Sequence, residues 1–303
     1  MDESARPTVD PALADCLARN SGRPAADITS MTPQQARAVY AESRVPWNDG
    51  QPAMAEVLRD RLPGAAGGLR FVRLVPEQAE PGTVVYFHGG GWVTGSIETH
   101  DGIMRRLAVL SRRCVVGLDY PLAPETRRAA MLAACLAALR QVMQDGEGPV
   151  VLAGDSAGAE LALACTLALR DQGARLPEGL GLAYPALWLR FETPSHLRLG
   201  DGRFGHSTAK MRAYWQHYLG DDEEPLPARP ELSGLPPCHL LGAELDCLLD
   251  DTLDLARLLT AAGAAPELSV PAGSVHGFLH YAAAAPIALE ALRGLAGFIR
   301  TCG

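Results

Sequence analysis

From residue 83 onward, short apolar runs alternate with longer helical patterns, and this alternation constrains the fold more than any other feature. The apolar runs span five or six residues, which is too short for a buried helix, and most of them lead into a helical segment. Parallel strands joined by helices give this pattern because both faces of their sheet are covered. The sequence therefore predicts an α/β protein with a mainly parallel central sheet flanked by helices. The predicted strands are 83–87, 114–118, 149–153, 179–184, 238–242 and 266–270, and the predicted helices are 99–111, 127–144, 157–171, 252–262 and 282–300.

Two segments interrupt the alternation. Residues 1–45 hold two helical patterns before the first predicted strand, and residues 186–220 separate two core strands. The second segment, called the insert below, carries bulky side chains such as Trp188, Phe204 and Trp215. An insertion at this point often forms a lid over an active site, and ordinary surface helices are the alternative. We predict cap segments at 1–45 and 186–220 on a core formed by 46–185 and 221–303.

Composition excludes several classes of function. The formal net charge of −8 argues against nucleic-acid binding, which needs a clustered basic surface. The sequence holds no stretch of about 18 apolar residues, so no membrane span is predicted. The polar N-terminus does not resemble a secretory leader. The seven cysteines contain no Cys-x-x-Cys pair, so neither a disulfide framework nor a zinc site is indicated. We expect an acidic cytoplasmic protein that acts on a small molecule without metal or cofactor.

Ser156 lies in the motif GDSAG (154–158), between a predicted strand and a predicted helix. In this context a Gly-x-Ser-x-Gly motif forms a sharp turn that presents the serine hydroxyl at the top of the sheet. The pattern alone is weak, and a simple Ser/Gly turn or a helix N-cap is the alternative. The strand-to-helix context predicts Ser156 as a nucleophile.

Three consecutive glycines follow the strand 83–87, in the segment HGGGW (88–92). Their bare backbone lets amide N–H groups point at a ligand oxygen. Such donors stabilise the oxyanion that forms when a serine attacks an ester carbonyl. A flexible loop or a phosphate cradle is the alternative, although neither phosphate-binding glycine motif is present here.

A serine nucleophile needs a base and an acid that orients the base. His276 follows the last predicted strand, at the sheet edge where chemistry gathers in open α/β folds. Asp246 follows the strand 238–242 and lies in a loop at the same edge, and Glu244 is the reserve acid. The chain order Ser156, Asp246, His276 is that of an α/β-hydrolase.

Neighbouring polar residues have simpler explanations. His280 lies four residues after His276, but the segment lacks the Glu of a His-Glu-x-x-His zinc site. Asp250 and Asp251 fall at the start of a predicted helix, where capping and the helix dipole account for them.

With these motifs in this order, the chain resembles the hormone-sensitive-lipase-like group of α/β-hydrolases, and within it the bacterial acetyl esterases. The resemblance runs from about residue 43 to the C-terminus. It is carried by SRVPWN (43–48), HGGGW (88–92), GSIETHD (95–101), DYPLAPE (119–125), GDSAG (154–158), GAELD (242–246), LLDD (248–251) and HGFLHY (276–281).

The resemblance implies an α/β-hydrolase fold with Ser156 as nucleophile, His276 as base and Asp246 as orienting acid. It also implies a helical cap from the N-terminus and from the insert that follows the strand ending near residue 184. Two departures concern specificity more than activity. Cys247 stands where the group usually has proline, and TRRA (126–129) replaces His-Pro-Phe-Pro.

The resemblance further implies an oxyanion hole formed by the amides of Gly89, Gly90 and Ala157. Trp92 and Asp155, which belong to the motifs HGGGW and GDSAG, are predicted to bind substrate.

The resulting hypothesis is a cofactor-free carboxylesterase that hydrolyses short-chain acyl esters, as a monomer or homodimer. The same triad would serve an amidase, an aryl-formamidase or a small-metabolite deacetylase, because fold does not determine substrate. A non-enzymatic receptor is a third hypothesis, but receptors of this group have lost the histidine that His276 supplies here. A long-chain lipase is disfavoured by the aromatic content of 6%.

Overall fold

The computed structural model describes residues 8–21, 25–62, 68–221, 224–226 and 230–303, and within them eight strands form one sheet. Their order across the sheet is first, second, fourth, third, fifth, sixth, seventh and eighth. The third to eighth strands pair in parallel, whereas the first two add antiparallel pairs at one edge. The strands are β1 (Glu56–Leu62), β2 (Leu69–Val75), β3 (Glu80–Phe87), β4 (Arg113–Asp119), β5 (Val150–Asp155), β6 (Gly179–Ala183), β7 (Cys238–Leu241) and β8 (Glu267–Ser269).

Helices connect these strands and cover the sheet. Short 3₁₀ helices at Val45–Trp47 and Phe278–Tyr281 supplement them. The α-helices are α1 (Pro11–Asn20), α2 (Pro33–Arg44), α3 (Asp101–Ser111), α4 (Arg128–Asp145), α5 (Ala157–Asp171), α6 (Pro194–Leu199), α7 (Thr208–Leu219), α8 (Leu249–Ala261) and α9 (Pro286–Thr301).

The predicted α/β fold is confirmed, and each strand predicted from residue 83 onward corresponds to an observed strand in the same order. The hairpin of β1 and β2 was not predicted. The first six residues of β1 are exposed, so this edge strand lacks the buried apolar positions that identify a strand in a sequence.

The two faces of the sheet bury separate apolar clusters, and successive residues of β3 alternate between them. Val84 and Tyr86 pack in the cluster that includes α3 and α9. Val85 and Phe87 pack in the cluster that includes α4, α5 and α8. Both faces are therefore covered, as the continuous apolar runs of the central strands require.

Helix α2 is fastened to the core by Arg37. Its guanidinium donates to the backbone carbonyls of Val93 and Ala123 at 2.8 Å each, and it forms an ion pair with Glu125. Helix α2 is thereby held beside the loop that follows β3.

The insert is fastened to the core by the first turn of α8. Asp250 accepts a hydrogen bond from the Ser195 amide at 2.7 Å, and Asp251 accepts from the amides of Leu187 and Trp188 at 2.8 and 3.3 Å. The interpretation of these two carboxylates as caps of their own helix was therefore incomplete. They stand in its first turn as predicted, but their hydrogen bonds go to the insert.

None of the helices in the described part of the chain combines the length and the apolar character needed to cross a membrane.

Candidate active site

Ser156 occupies the sharp turn between β5 and α5, as the motif predicted. Its backbone has φ 54° and ψ −118°, a conformation that residues with side chains rarely adopt. A hydrogen bond from the Ser156 amide to the Ala183 carbonyl at 2.8 Å holds the turn against β6. Such strain, maintained by the surrounding sheet, raises the hydroxyl above the carboxyl edge of the strands.

Three side chains predicted separately from the sequence meet at this edge. The Ser156 hydroxyl lies 2.9 Å from Nε2 of His276, and Nδ1 of His276 lies 2.6 Å from Oδ2 of Asp246. The loops after β5, β7 and β8 supply them, because the carboxyl ends of parallel strands share one edge. Glu244, the reserve acid, instead accepts a hydrogen bond from the Gly273 amide at 2.6 Å.

Asp246 is built to remain ionised. It is buried, which would raise its pKa, but the neighbouring His276, together with a hydrogen bond from the Leu248 amide at 3.1 Å, holds the pKa of this carboxyl below its ordinary value. Its neighbour Cys247 is also buried, and burial raises the pKa of that thiol far above its ordinary value. A buried thiol with a raised pKa is not readily oxidised, so Cys247 does not make this loop sensitive to oxidation.

The amides beside Ser156 differ from those expected. The Gly89 amide donates to Oδ1 of Asp155 at 2.9 Å, so it is not available to a substrate oxygen, and the prediction for Gly89 was wrong. Gly90 and Gly91 instead line the pocket. Within the described residues, the amides of Gly90, Gly91 and Ala157 donate to no acceptor. The direction of an amide depends on tertiary partners, which a glycine run does not reveal.

Asp155 borders the pocket, but its carboxylate is committed to the protein. Besides the Gly89 amide, Oδ1 accepts from the Tyr86 hydroxyl at 2.8 Å. Burial would raise the pKa of Asp155, but His100 and these donors hold it below its ordinary value. The residue therefore orders the glycine loop, which is a different role from the predicted substrate binding.

The predicted substrate contact of Trp92 is also not what the structure shows. Its indole is fully buried, stacks on Tyr218 with ring centroids 4.2 Å apart, and donates to Glu160 at 3.3 Å. The side chain does not line the pocket. Trp92 instead joins the glycine loop to helix α7 of the insert.

Atoms of His100, Asp155 and His280 that could ligate a metal lie within 4.8 Å of one another. Hydrogen bonds account for this cluster, because the Gly89 amide also lies 3.2 Å from Nε2 of His100 and the Tyr40 hydroxyl lies 3.3 Å from Nε2 of His280. The Gly89 amide points its N–H at Asp155 and His100, and a metal ion bound by these two residues would have to displace this donor.

His206 was not singled out from the sequence, although it is a histidine within the aromatic-rich insert. Its ring stacks on the ring of His276, with centroids 4.2 Å apart and planes 13° apart. Burial and the neighbouring His276 hold the pKa of His206 well below its ordinary value, so it lies against the catalytic base candidate as a neutral ring.

The pocket in front of Ser156 has a volume of about 260 Å³. Helices α1 and α2 supply part of its wall through residues such as Asn20 and Tyr40, and the insert supplies another part through His206 and Tyr214. Both segments that interrupt the strand and helix alternation therefore border the candidate nucleophile.

Comparison with known proteins gives one family and a set of close structural matches. A family model described as an α/β-hydrolase fold matches residues 84–280. An esterase from the hyperthermophilic archaeon Pyrobaculum calidifontis has 28% sequence identity and a TM-score of 0.90, covering 97% of this chain and 98% of its own. An ester hydrolase from the metagenome of Lake Arreo, solved with a bipyridine phosphonate derivative, has 30% identity and a TM-score of 0.87, covering 97% and 99%. A thermostable esterase from Pseudomonas putida has 25% identity and a TM-score of 0.88, covering 99% of both chains.

Proposed function

Since the chain belongs to the α/β-hydrolase family, in its hormone-sensitive-lipase-like group, we propose that it is a serine carboxylesterase that hydrolyses short-chain acyl esters. The continuous hydrogen-bonded path from Ser156 through His276 to Asp246 is the observation that carries this proposal. The esterases that align over nearly the whole chain support the same reaction.

Acylation begins when Oγ of Ser156 attacks the ester carbonyl and Nε2 of His276 takes the hydroxyl proton. The positive charge that develops on the imidazole is stabilised by the ionised Asp246 at Nδ1. The tetrahedral oxyanion is stabilised by the amides of Gly90, Gly91 and Ala157, each worth on the order of 10²–10³ in rate.

Acylation ends when His276 gives its proton to the departing alcohol, which leaves an acyl group on Ser156. Deacylation reuses the same groups. A water molecule then attacks the acyl-enzyme carbonyl while His276 takes its proton. His276 returns this proton to Oγ of Ser156, and the carboxylic acid is released.

The size of the pocket supports the short acyl chain, because about 260 Å³ accommodates a small ester and little more. Residues 1–45 and 186–220 act as the cap that encloses it, on a catalytic core of 46–185 and 221–303. All seven cysteines are buried and unpaired, which supports a reducing compartment such as the cytoplasm.

The direct test measures hydrolysis of p-nitrophenyl esters of two to twelve acyl carbons by wild type and Ser156→Ala. We expect the highest kcat/KM on the shortest esters and a loss of about 10⁶ in kcat in the variant. The matching N-acetyl amides test the amidase alternative in the same assay.

Equal rates for the two proteins would contradict the role of Ser156. Faster turnover of the amides than of the esters would replace the proposed esterase by an amidase.

A further inference from the structure

One cation that lines the pocket has no acidic partner among the residues that the structure describes. Arg44 stands in the last turn of α2, where a basic side chain ordinarily interacts with the helix dipole. Its side chain instead lies among the pocket residues, with the guanidinium carbon 4.6 Å from the centre of the Tyr40 ring. The candidate nucleophile Ser156 lines the same pocket.

The guanidinium of Arg44 lies beside the hydroxyl groups of Tyr40 and Tyr281 and has one donor without an acceptor. Its Nε is buried and has no hydrogen-bond partner, and no carboxylate of the described residues lies within 4 Å of it. Arg37, two turns earlier on the same helix, shows the ordinary arrangement, because it donates to two carbonyls and pairs with Glu125. Arg44 has neutral hydroxyl groups in place of these carbonyls and this carboxylate, and a partly buried guanidinium without a carboxylate is stabilised when a ligand supplies an anion.

The rest of the pocket favours a negative ligand as well. Lys210 of the insert also lines the pocket, and its ammonium donates to the Gly205 carbonyl at 3.3 Å. Among the described residues that line the pocket, Asp155 supplies the one carboxylate, and protein donors already hold it. The described lining residues thus include two cations and one carboxylate, although the whole chain carries a net charge of −8.

We propose that the substrate is a short ester that carries a free carboxylate, and that Arg44 is the residue that binds this carboxylate. A guanidinium presents paired N–H donors that match the two oxygens of a carboxylate. This inference rests on the proposed esterase function and adds the charge of the substrate. The carboxylate can belong to the acyl part or to the alcohol part of the ester, and the experiment separates the two.

The test uses two pairs of esters that differ only in charge. p-Acetoxybenzoate and p-acetoxybenzamide place the difference on the alcohol part, whereas mono-p-nitrophenyl succinate and p-nitrophenyl succinamate place it on the acyl part. In wild type we expect kcat/KM for one carboxylate to exceed that for its amide by about tenfold or more. Added salt should reduce this ratio.

Variants of Arg44 assign the preference to that residue. Arg44→Met should lower the ratio of carboxylate to amide by about tenfold, mainly through KM, and Arg44→Lys should retain part of it. The ratio within one variant cancels any general loss of activity. Arg19→Met removes the same charge from an exposed site on α1 and should leave the ratio at its wild-type value.

Two results would overturn the proposal: amides preferred in both pairs by wild type, or a ratio unchanged in Arg44→Met. Binding of the same four esters to Ser156→Ala, with and without Arg44→Met, tests Arg44 without catalysis. Failure of every ester to react would therefore refute the esterase function alone. Equal affinity for carboxylate and amide in Ser156→Ala would refute the role of Arg44.

Discussion

Asp246 and Asp251 lie five residues apart and are both buried, yet their environments act in opposite directions. His276 and the Leu248 amide outweigh the burial of Asp246, and the pKa of that carboxyl falls. At Asp251 burial outweighs the amides of Leu187 and Trp188 and the more distant Arg190, and it raises the pKa to about 7. The difference separates a carboxylate that must stay charged beside an imidazolium from one that fastens the insert.

The raised pKa of Asp251 predicts a pH-dependent stability. The unfolded chain releases this proton near pH 4, whereas the folded chain retains it until about pH 7. The folded state therefore loses stability as the pH rises through this window. Asp251→Asn preserves an acceptor for the two amides but cannot titrate. Its urea midpoint should fall less between pH 5 and pH 8 than that of wild type.

The exposed Asp171→Asn serves as control and should follow the wild-type change with pH. An Asp251→Asn variant whose midpoint falls as steeply as that of wild type would contradict the proposed titration.

The sequence predicts a residue's place in the site where a motif follows directly on a predicted strand, as for Ser156, Asp246 and His276. That place could not be predicted where the decisive fact is a direction in space. The Gly89 amide turns to Asp155, and the indole of Trp92 turns to Glu160, because of partners 66 and 68 residues away. Arg44 lies in the SRVPWN motif, but nothing in the sequence placed it in the pocket, since an arginine at the end of a helix is ordinarily on the surface.

At the scale of elements, the turn that carries Ser156 depends on close packing of α5 against β3. A Cβ at Gly158 would overlap the backbone carbonyl of Phe87. Gly158, the second glycine of the motif, therefore lets helix α5 approach strand β3 closely.

Gly158→Ala is accordingly expected to lower the free energy of unfolding by about 1–3 kcal/mol or more and to reduce esterase activity. Gly297→Ala on α9 is the matched control, because a Cβ there meets no atom within 4 Å. That substitution should stabilise the protein by about 0.4–1 kcal/mol. Urea titrations of both variants provide the measurement, and an undiminished stability of Gly158→Ala would contradict this packing account.

The elements that the sequence predicted well are the buried ones. The strand β5 and helix α5 show long apolar runs, and the observed α5 has the predicted bounds. The hairpin β1–β2 escaped prediction because pairing to the sheet edge, rather than burial of its own side chains, determines it.

At the scale of the whole molecule, the parallel sheet gathers residues from distant parts of the chain at one edge. The glycine loop, Ser156, Asp246 and His276 follow four different strands, and residues of α1, α2 and the insert line the pocket beside them. The parallel arrangement of the strands from residue 83 onward could be predicted from alternation alone, but the charge of the pocket could not. The net charge of −8 suggests an acidic molecule throughout, whereas folding places Arg44 and Lys210 around the site.

The central claim is that Ser156 forms a covalent acyl intermediate, and labelling with a p-nitrophenyl alkylphosphonate tests it most directly. The account predicts one phosphonyl group per chain, located on Ser156 by peptide mass spectrometry, with loss of esterase activity in proportion to labelling. Ser156→Ala should remain unlabelled. A stoichiometric label on another residue, or full activity in a protein labelled at Ser156, would contradict the account.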